Sequence, residues 1–304
     1  MISVILPAYN AQDTIAEAIQ SIIKQTYEDW ELIVINDGST DGTKSVIQTF
    51  KDNRIKFYDN LGNKGLVFTL NRALSIARGF YIARMDADDI SLPNRFEDQL
   101  AYLIDNNLDL IGCETMHIDE FGSVLLDKAN SAYSPNTISK CLRYDNCIAH
   151  PTWLGKKEVF TQLGGYRNIH SCEDYDFLLR AKINNFKIGV CNNVLLKYRI
   201  VGTGISQSNL LKQNLYMKYL QNNLSNIDQI NESVLDGYVA QQSQVIDKKK
   251  FLKGYELFNK SIYLLSKKEL VPGISIMFKA FISSSMIRWK LKNMLMLRII
   301  RYFC

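Results

Sequence analysis

Four short segments of the chain gather side chains suited to chemistry. Asp86-Ala87-Asp88-Asp89 sets three carboxylates within four residues, and like charges so close repel one another unless a cation compensates. Hard divalent ions such as Mg²⁺ or Mn²⁺ take one or two carboxylates together with substrate phosphate oxygens; the same run would also serve as an acidic helix cap. Asn36-Asp37-Gly38-Ser39-Thr40-Asp41-Gly42 is turn-forming throughout. Asp41 suits a helix cap there, which leaves Asp37 to hydrogen-bond a base or ribose. Pro7-Ala8-Tyr9 offers a surface for stacking or for packing. Glu173-Asp174-Tyr175-Asp176 precedes an apolar helical run and reads either as a cap or as a general base in a dry cleft. In an extended chain Glu173 and Asp174 point to opposite faces, so only one addresses a reaction centre, and residue chemistry does not choose between them.

The elements that must position these residues alternate. Short apolar runs at 3–6, 31–35, 55–58, 81–85 and 108–112 read as strands, and 14–24, 43–50, 66–78 and 94–106 have helical apolar spacing. That succession predicts a mostly parallel sheet between helices. Ligands of such sheets bind outside the strand carboxyl ends, and Tyr9, Asp37 and Asp86 each fall just after a strand. Residues 113–200 are more mixed, with strands expected at 115–118 and 194–198 and helices at 136–142 and 175–184. From 207 onward the pattern is helical, with a domain boundary expected near 220.

Composition bounds the rest. The chain has 304 residues, 47% hydrophobic and 22% charged with 5 Pro, which excludes collagen-like and disordered classes. Its six cysteines form no C-x-x-C pair, so neither a zinc ribbon nor a disulfide framework is expected, and a reducing compartment is the simpler reading. No leader is evident after Met1, and no apolar run approaches the ~20 residues of a membrane span. Of the net charge of +5, residues 270–304 carry Lys279, Arg288, Lys290, Lys292, Arg298 and Arg301 with no acid. The body is therefore close to neutral, and no nucleic-acid groove is expected on it.

The ordered set S-V-I-L-P-A-Y-N, E-L-I-V-I-N-D-G-S-T-D-G-T, N-K-G-L, L-N-R-A-L, A-R-G-F-Y-I-A-R-M-D-A-D-D, H-P-T, G-G-Y and C-E-D-Y-D-F-L-L-R-A resembles the bacterial family 2 glycosyltransferases over roughly residues 1–206. The resemblance implies a type A glycosyltransferase fold, an α/β class with a Rossmann-like, mostly parallel sheet flanked by helices. In this chain a helical C-terminal extension would follow. It implies a catalytic domain over 1–220, with a nucleotide-sugar half at 1–110 and an acceptor half at 111–220, ahead of an extension at 221–304. It implies inverting transfer from a nucleotide-diphosphate sugar, UDP-linked by expectation, to a hydroxyl of a glycan or lipid-linked acceptor in surface polysaccharide synthesis. Mn²⁺ or Mg²⁺ would assist.

Carried over by position, Pro7, Ala8, Tyr9, Asp37 and Lys64 would embrace the nucleoside, Asp86 would contact the ribose, and Asp88 would hold the metal. Asp174 would be the base, with Gly164, Gly165, Tyr166 and Glu173 on the acceptor side, where glycines would let backbone approach the sugar. Many relatives follow the last core strand with Tyr-Arg-x-His, whereas this chain reads Tyr198-Arg199-Ile200-Val201, so protein ligation of the metal would rest almost wholly on Asp88. His150 reads as structural.

A nucleotidyltransferase would show a Gly-rich phosphate loop after the first strand, where Ala8-Tyr9-Asn10-Ala11 stands instead. A dehydrogenase would show G-x-G-x-x-G. A catalytically silent sugar-binding protein would not need Asp37, Asp86, Asp88 and Asp174 together. In the tail, Ile274, Met277, Phe278, Phe281, Ile282, Met286, Trp289, Leu295, Ile299 and Phe303 among six cations suit helices lying on an anionic membrane surface. A cytoplasmic protein, peripheral on the inner face of the cell membrane, is the resulting expectation.

Overall fold

The computed structural model describes residues 1–126, 135–169, 171–200 and 209–303. The chain divides into two compact units, Met1–Leu142 with Asn146–Gly204, and Arg143–Asp145 with Ile205–Cys304.

The first unit is built on a sheet of nine strands among the described residues. Strands β1 (Ile2–Ala8), β2 (Trp30–Asn36), β3 (Ile55–Asp59) and β4 (Tyr81–Arg84) pair in parallel in the order β3-β2-β1-β4. Helices α1 (Ile15–Ile23), α2 (Thr43–Ile47) and α3 (Leu66–Ile76) make the crossovers. Every residue of β2 is buried, as a central parallel strand covered on both faces requires. The core joins Ile2, Val4, Leu6, Leu32 and Val34 of the sheet to Ile15, Ala18, Ile19 and Ile22 of α1. The β1–β4 ladder ends at Ile5↔Arg84. Pro7, which has no N–H to donate, lies beyond that point and faces only Ile35 of β2. The strand order reverses between β1 and β4, which is where such a sheet offers its crevice.

Beyond β4 the sheet becomes mixed. It continues through β8 (Leu154–Lys156), β6 (Leu110–Ile118), β9 (Ile188–Arg199) and β5 (Ile90–Ser91), with β7 (Val124–Leu126) on β6. Only β6–β9 is parallel here; the β4–β8, β6–β8, β5–β9 and β6–β7 pairs are antiparallel. The strands expected at 108–112 and 115–118 are one strand, β6, whose ladder with β9 shifts register around Glu114. The irregularity breaks the alternation that would otherwise announce a single strand. Helices α4 (Arg95–Asp105), α5 (Pro135–Cys141), α6 (Lys157–Gln162) and α7 (Glu173–Ile183) complete the unit.

The second unit holds α8 (Leu210–Asn222), α9 (Glu232–Ser243), α10 (Lys248–Ser266), α11 (Leu270–Ser283) and α12 (Ser285–Phe303). Leu211 and Leu215 of α8 share a core with Phe251, Phe258, Ala280, Met286 and Ile287. That shared core is why the division falls at 204/205 rather than near 220. No helix among the described residues is long and apolar enough to cross a membrane.

Candidate functional site

The loops that follow β1, β2 and β3 are laced together by short polar side chains. Asn10 Oδ1 accepts from Thr40 N–H at 2.9 Å, and Ala11 N–H donates to Thr43 Oγ1 at 2.7 Å. Gly42 N–H reaches Gln12 Oε1 at 2.8 Å. Asp37, 4% exposed, spends both oxygens on the third loop. Oδ1 accepts from Asn60 Nδ2 at 2.6 Å and Lys64 N–H at 2.9 Å, and Oδ2 from Gly65 N–H at 2.8 Å. Gly38 (φ 68°) allows this closure, since a Cβ there would lie 2.3 Å from the Gly62 carbonyl carbon. Asp37 is thus not the open acceptor expected of it; it anchors the 60–65 loop. Lys64 reaches it through the backbone while its side chain is exposed. Ala8 is buried, and Tyr9 is 48% exposed at the lip of the β1 loop.

The triad after β4 is built differently. Oxygens of Asp86, Asp88 and Asp89 lie within 4.8 Å of one another. Burial first, then the Asp86 charge, pushes the Asp88 carboxyl up to about 6, and Asp89, 1% exposed, is held well above the usual carboxyl range by burial and then by the Asp86 and Asp88 charges. Asp89 Oδ1 accepts from Arg199 N–H at 2.8 Å, while its Oδ2 has no hydrogen-bond partner among the described residues. The Arg199 guanidinium holds the loop from behind, donating to the Asp88 carbonyl at 2.8 Å, the Glu120 carbonyl at 2.9 Å and Glu17 Oε2 at 2.8 Å. A crowded carboxylate set with an unpartnered buried oxygen fits a hard divalent cation. Asp86, Asp88 and Asp89 are the residues that would hold it, so ligation need not rest on Asp88 alone. Val201, where the sequence departs from Tyr-Arg-x-His, lies outside the described residues.

Arg84 joins this triad to a second acid pair. Its guanidinium is buried, ion-paired with Asp86, and its Nε lacks a hydrogen-bond partner among the described residues. Its charge lowers the proton affinity of Asp88 and Asp89, and equally of Glu173 and Asp174. Both of the latter lie in the first turn of α7. The helix begins two residues earlier than the sequence pattern indicates, so they stand about 100° apart around its axis instead of on opposite faces. Burial, then the Asp174 charge, pushes Glu173 up to about 7. Asp174 is raised as well, chiefly by burial. Asn146 Nδ2 donates to Asp174 Oδ2 at 2.7 Å and the Tyr175 N–H to Oδ1 at 2.7 Å.

The second Asp of the motif is structural. Asp176, fully buried, pairs with Arg167 and with Arg180, whose Nε lies 2.8 Å away. Arg180 in turn donates to the Leu163 and Gly165 carbonyls at 2.7 and 2.9 Å. Gly164 and Gly165, both at positive φ, stop α6. The close approach that Gly165 permits is to Asn71, whose Oδ1 would sit 2.4 Å from a Cβ. Asn71 also brackets the Tyr166 backbone at 2.9 and 2.8 Å. Tyr166 is itself buried, its hydroxyl 2.9 Å from His150 Nε2. Burial and the Arg84 charge hold His150 well below its usual pKa, so it is a neutral packing and hydrogen-bonding residue.

Sequence reasoning missed Arg84, Arg199 and Asn146. For Arg84 a signal existed: a cation at the end of a buried strand, two residues before three carboxylates. Arg199 stood in the quoted Tyr198-Arg199 pair, but nothing in the sequence links it to residues 88–89.

A parallel β3-β2-β1-β4 sheet that delivers a carboxylate triad to its switch point, then continues into a mixed half, is the frame of the type A glycosyltransferases. Residues 3–183 match the family described as Glycosyl transferase family 2, and the chain belongs to it; it is a glycosyltransferase. It is 37% identical over 215 residues to the O-antigen biosynthesis glycosyltransferase WbnJ of Escherichia coli, covering 69% of this chain and 84% of that one. A second Escherichia coli protein, UDP-Glc:alpha-D-GlcNAc-diphosphoundecaprenol beta-1,3-glucosyltransferase WfgD, is 31% identical over 217 residues, 70% of this chain and 82% of that one. Among solved structures, S. aureus TarS 1-349 in complex with UDP-GlcNAc shares the fold at TM-score 0.60 and 20% identity, over 79% of this chain and 70% of that one. The mannosyltransferase PcManGT from Pyrobaculum calidifontis, in complex with GDP-Man and Mn²⁺, does so at 0.59 and 16%, over 99% and 87%.

Proposed function

We propose that the protein is an inverting hexosyltransferase that moves a sugar from a nucleoside-diphosphate donor, UDP-linked, to a hydroxyl of a lipid-linked glycan in surface polysaccharide synthesis. The observation that carries this reading is the pair of acid clusters set against one buried guanidinium, Arg84. One cluster is suited to a diphosphate with its cation and the other to a proton. The names of WbnJ and WfgD, and the UDP-GlcNAc held by TarS, support the acceptor class and the nucleotide.

In this reading Pro7, Ala8 and the exposed ring of Tyr9 form one wall of the nucleoside pocket, and Asp37 shapes the other by fixing the loop that carries Lys64. Asp86 faces the ribose, and together with Asp88 and Asp89 it would hold Mn²⁺ or Mg²⁺. When bound, the divalent ion supplies positive charge to the departing diphosphate. Asp174 accepts the proton of the acceptor hydroxyl, and that oxygen forms its bond to the anomeric carbon as the carbon–diphosphate bond breaks on the opposite face. An α-linked donor then yields a β-glycoside. Asn146 orients the base, and Tyr166 and the Gly164-Gly165 turn back the acceptor side. A panel of nucleotide sugars with Mn²⁺ or Mg²⁺, scored for nucleotide release and for the anomeric configuration of the product by NMR, tests the proposal. Nucleotide release without transfer, or a retained configuration, would overturn it.

A further inference from the structure

Helix α11 is apolar on two sides. Gly273 and Ala280 are buried and Met277 is partly buried against the core of the helical unit. The opposite side bears Leu270, Val271 (81% exposed), Ile274 (62%), Phe278 (65%), Phe281 and Ile282 (61%). At 100° per residue these six fall within an arc of about 120° and run about 18 Å along the helix. A helix of a water-soluble unit ordinarily turns charged residues to that side, and an apolar stripe of this length marks an interaction site. Met286 and Ile287 of α12 are buried and Trp289 packs against the same core. The apolar content of the tail therefore divides into residues that hold the unit together and residues that face outward.

Apart from Glu269, the charges around the stripe are positive. Lys267 and Lys268 precede it, Lys279 flanks it, and the exposed side of α12 repeats Arg288, Lys292, Leu295 and Ile299 at helical spacing, with Arg298 beside them. Arg288 ties the two faces together: its guanidinium donates to the Phe281 carbonyl at 3.4 Å and lies 6.0 Å from the Phe281 ring centre. Glu269 is the one acid from residue 267 to 300. A second copy of this chain would bring cations against cations in a two-fold contact. An apolar stripe rimmed by lysine and arginine instead matches a surface that is anionic outside and hydrocarbon beneath.

We propose that the outward face of α11, with the cationic face of α12, is a docking surface for an anionic lipid bilayer. Phe278, Ile274 and Val271 enter the acyl boundary while Lys279, Arg288 and Lys292 lie at the headgroups. Removing the tail is not a clean test, because Ala280, Met286 and Ile287 belong to the core of the unit. Point variants at exposed positions are.

The full-length protein is sedimented with vesicles of equal parts phosphatidylglycerol and phosphatidylcholine, and with phosphatidylcholine alone. Binding to the first only, released by high salt, is the expected result. I274S/F278S lowers the partition coefficient at least tenfold, and K279E/R288E/K292E lowers it by roughly a hundredfold, both with unchanged transfer to a soluble acceptor. Three results would overturn the proposal: wild-type protein that stays in the supernatant at low salt, apolar-face variants that bind as wild type does, or wild-type self-association that I274S/F278S abolishes. The first points to a protein partner for this face and the last to a second copy of the chain. The salt release of the unaltered protein needs no variant to fold.

Discussion

The loops after β1, β2 and β3 and the acid clusters of the same sheet edge are stabilised in opposite ways. After β1, β2 and β3, Asn, Ser, Thr, Gly and Asp satisfy one another's backbone groups, so the chain's own hydrogen bonds fix these loops. After β4, three carboxylates crowd an arginine whose Nε lacks a hydrogen-bond partner among the described residues, and a second acid pair shares the same cation. The first arrangement costs little and gives shape; the second stores repulsion, which in the proposed function a cation and a diphosphate would relieve.

The contrast predicts its largest effect at the base. Asp174→Asn should lower kcat by about 10²–10⁴ with donor affinity nearly unchanged, measured by turnover and by calorimetry with the nucleotide. Glu173→Gln should cost about tenfold or less, because Asp174 is the more exposed of the two and is oriented by Asn146. The pH profile sharpens the point. Glu173 is pushed up to about 7 and Asp174 is raised above the ordinary carboxyl range beside it, so activity should fall on the acid side as these carboxyls take up protons. Stability runs the other way. A carboxyl whose native pKa exceeds its unfolded value near ~4.3 binds protons more tightly when folded, so stability is lost as pH climbs from there to about 7. In Glu173→Gln the acid limb of the rate profile should move to lower pH, since the more strongly raised carboxyl of the pair is gone. An unmoved limb, or a larger loss than in Asp174→Asn, would assign the base to Glu173.

Asp88→Ala comes next. It should abolish the Mn²⁺-dependent tightening of nucleotide binding while raising the melting temperature of the metal-free protein. Asp88 is held up to about 6 by burial and then by Asp86, so removing it relieves repulsion on the order of 1 kcal/mol near neutral pH. A variant that binds nucleotide better and binds it no tighter with metal would confirm that this side is built for a ligand. A lower melting temperature would show that the triad is balanced internally.

Arg84→Lys probes the residue common to both acid clusters. Lysine keeps the charge but not the planar fork, and one ammonium cannot face Asp86 and the α7 carboxylates in the same way. A fall in kcat of about tenfold to a hundredfold is expected, with the donor KM moved far less. Equal losses in kcat and stability would reduce Arg84 to a structural ion pair.

Much of the nucleoside side was legible because its elements are long and regular. The four parallel strands show apolar runs bounded by turn residues, and the chemistry-bearing residues follow them directly. The far half was less legible for a physical reason. Strands of two or three residues such as β5 and β8 are shorter than any periodicity, and the register shift around Glu114 splits β6 in the pattern. Within the site, carboxylates announce themselves by type, whereas Arg84 and Arg199 gain meaning only from the acids that folding brings to them. Asp37 shows the converse: its position after β2 was legible, but its commitment to Asn60, Lys64 and Gly65 depends on a loop more than twenty residues away.

Asp37 and Lys64 supply the smallest effects and the sharpest test of the prebuilt side. Asp37 takes three donors on two oxygens. In Asp37→Asn the amide oxygen can keep two of them, but its NH₂ meets the Gly65 N–H donor to donor, which leaves that N–H only Asn63 Oδ1 at 3.0 Å and costs about 1 kcal/mol. Denaturant midpoints should fall accordingly, and nucleotide affinity should weaken only as far as the 60–65 loop loosens. Lys64→Ala leaves the backbone N–H on Asp37 and removes an exposed cation in high dielectric, so donor affinity should drop by about threefold or less. If Lys64→Ala instead weakened nucleotide binding more than Asp37→Asn did, recognition would lie in the lysine side chain, and the loop that Asp37 holds would be a mount for a phosphate contact, not a finished wall.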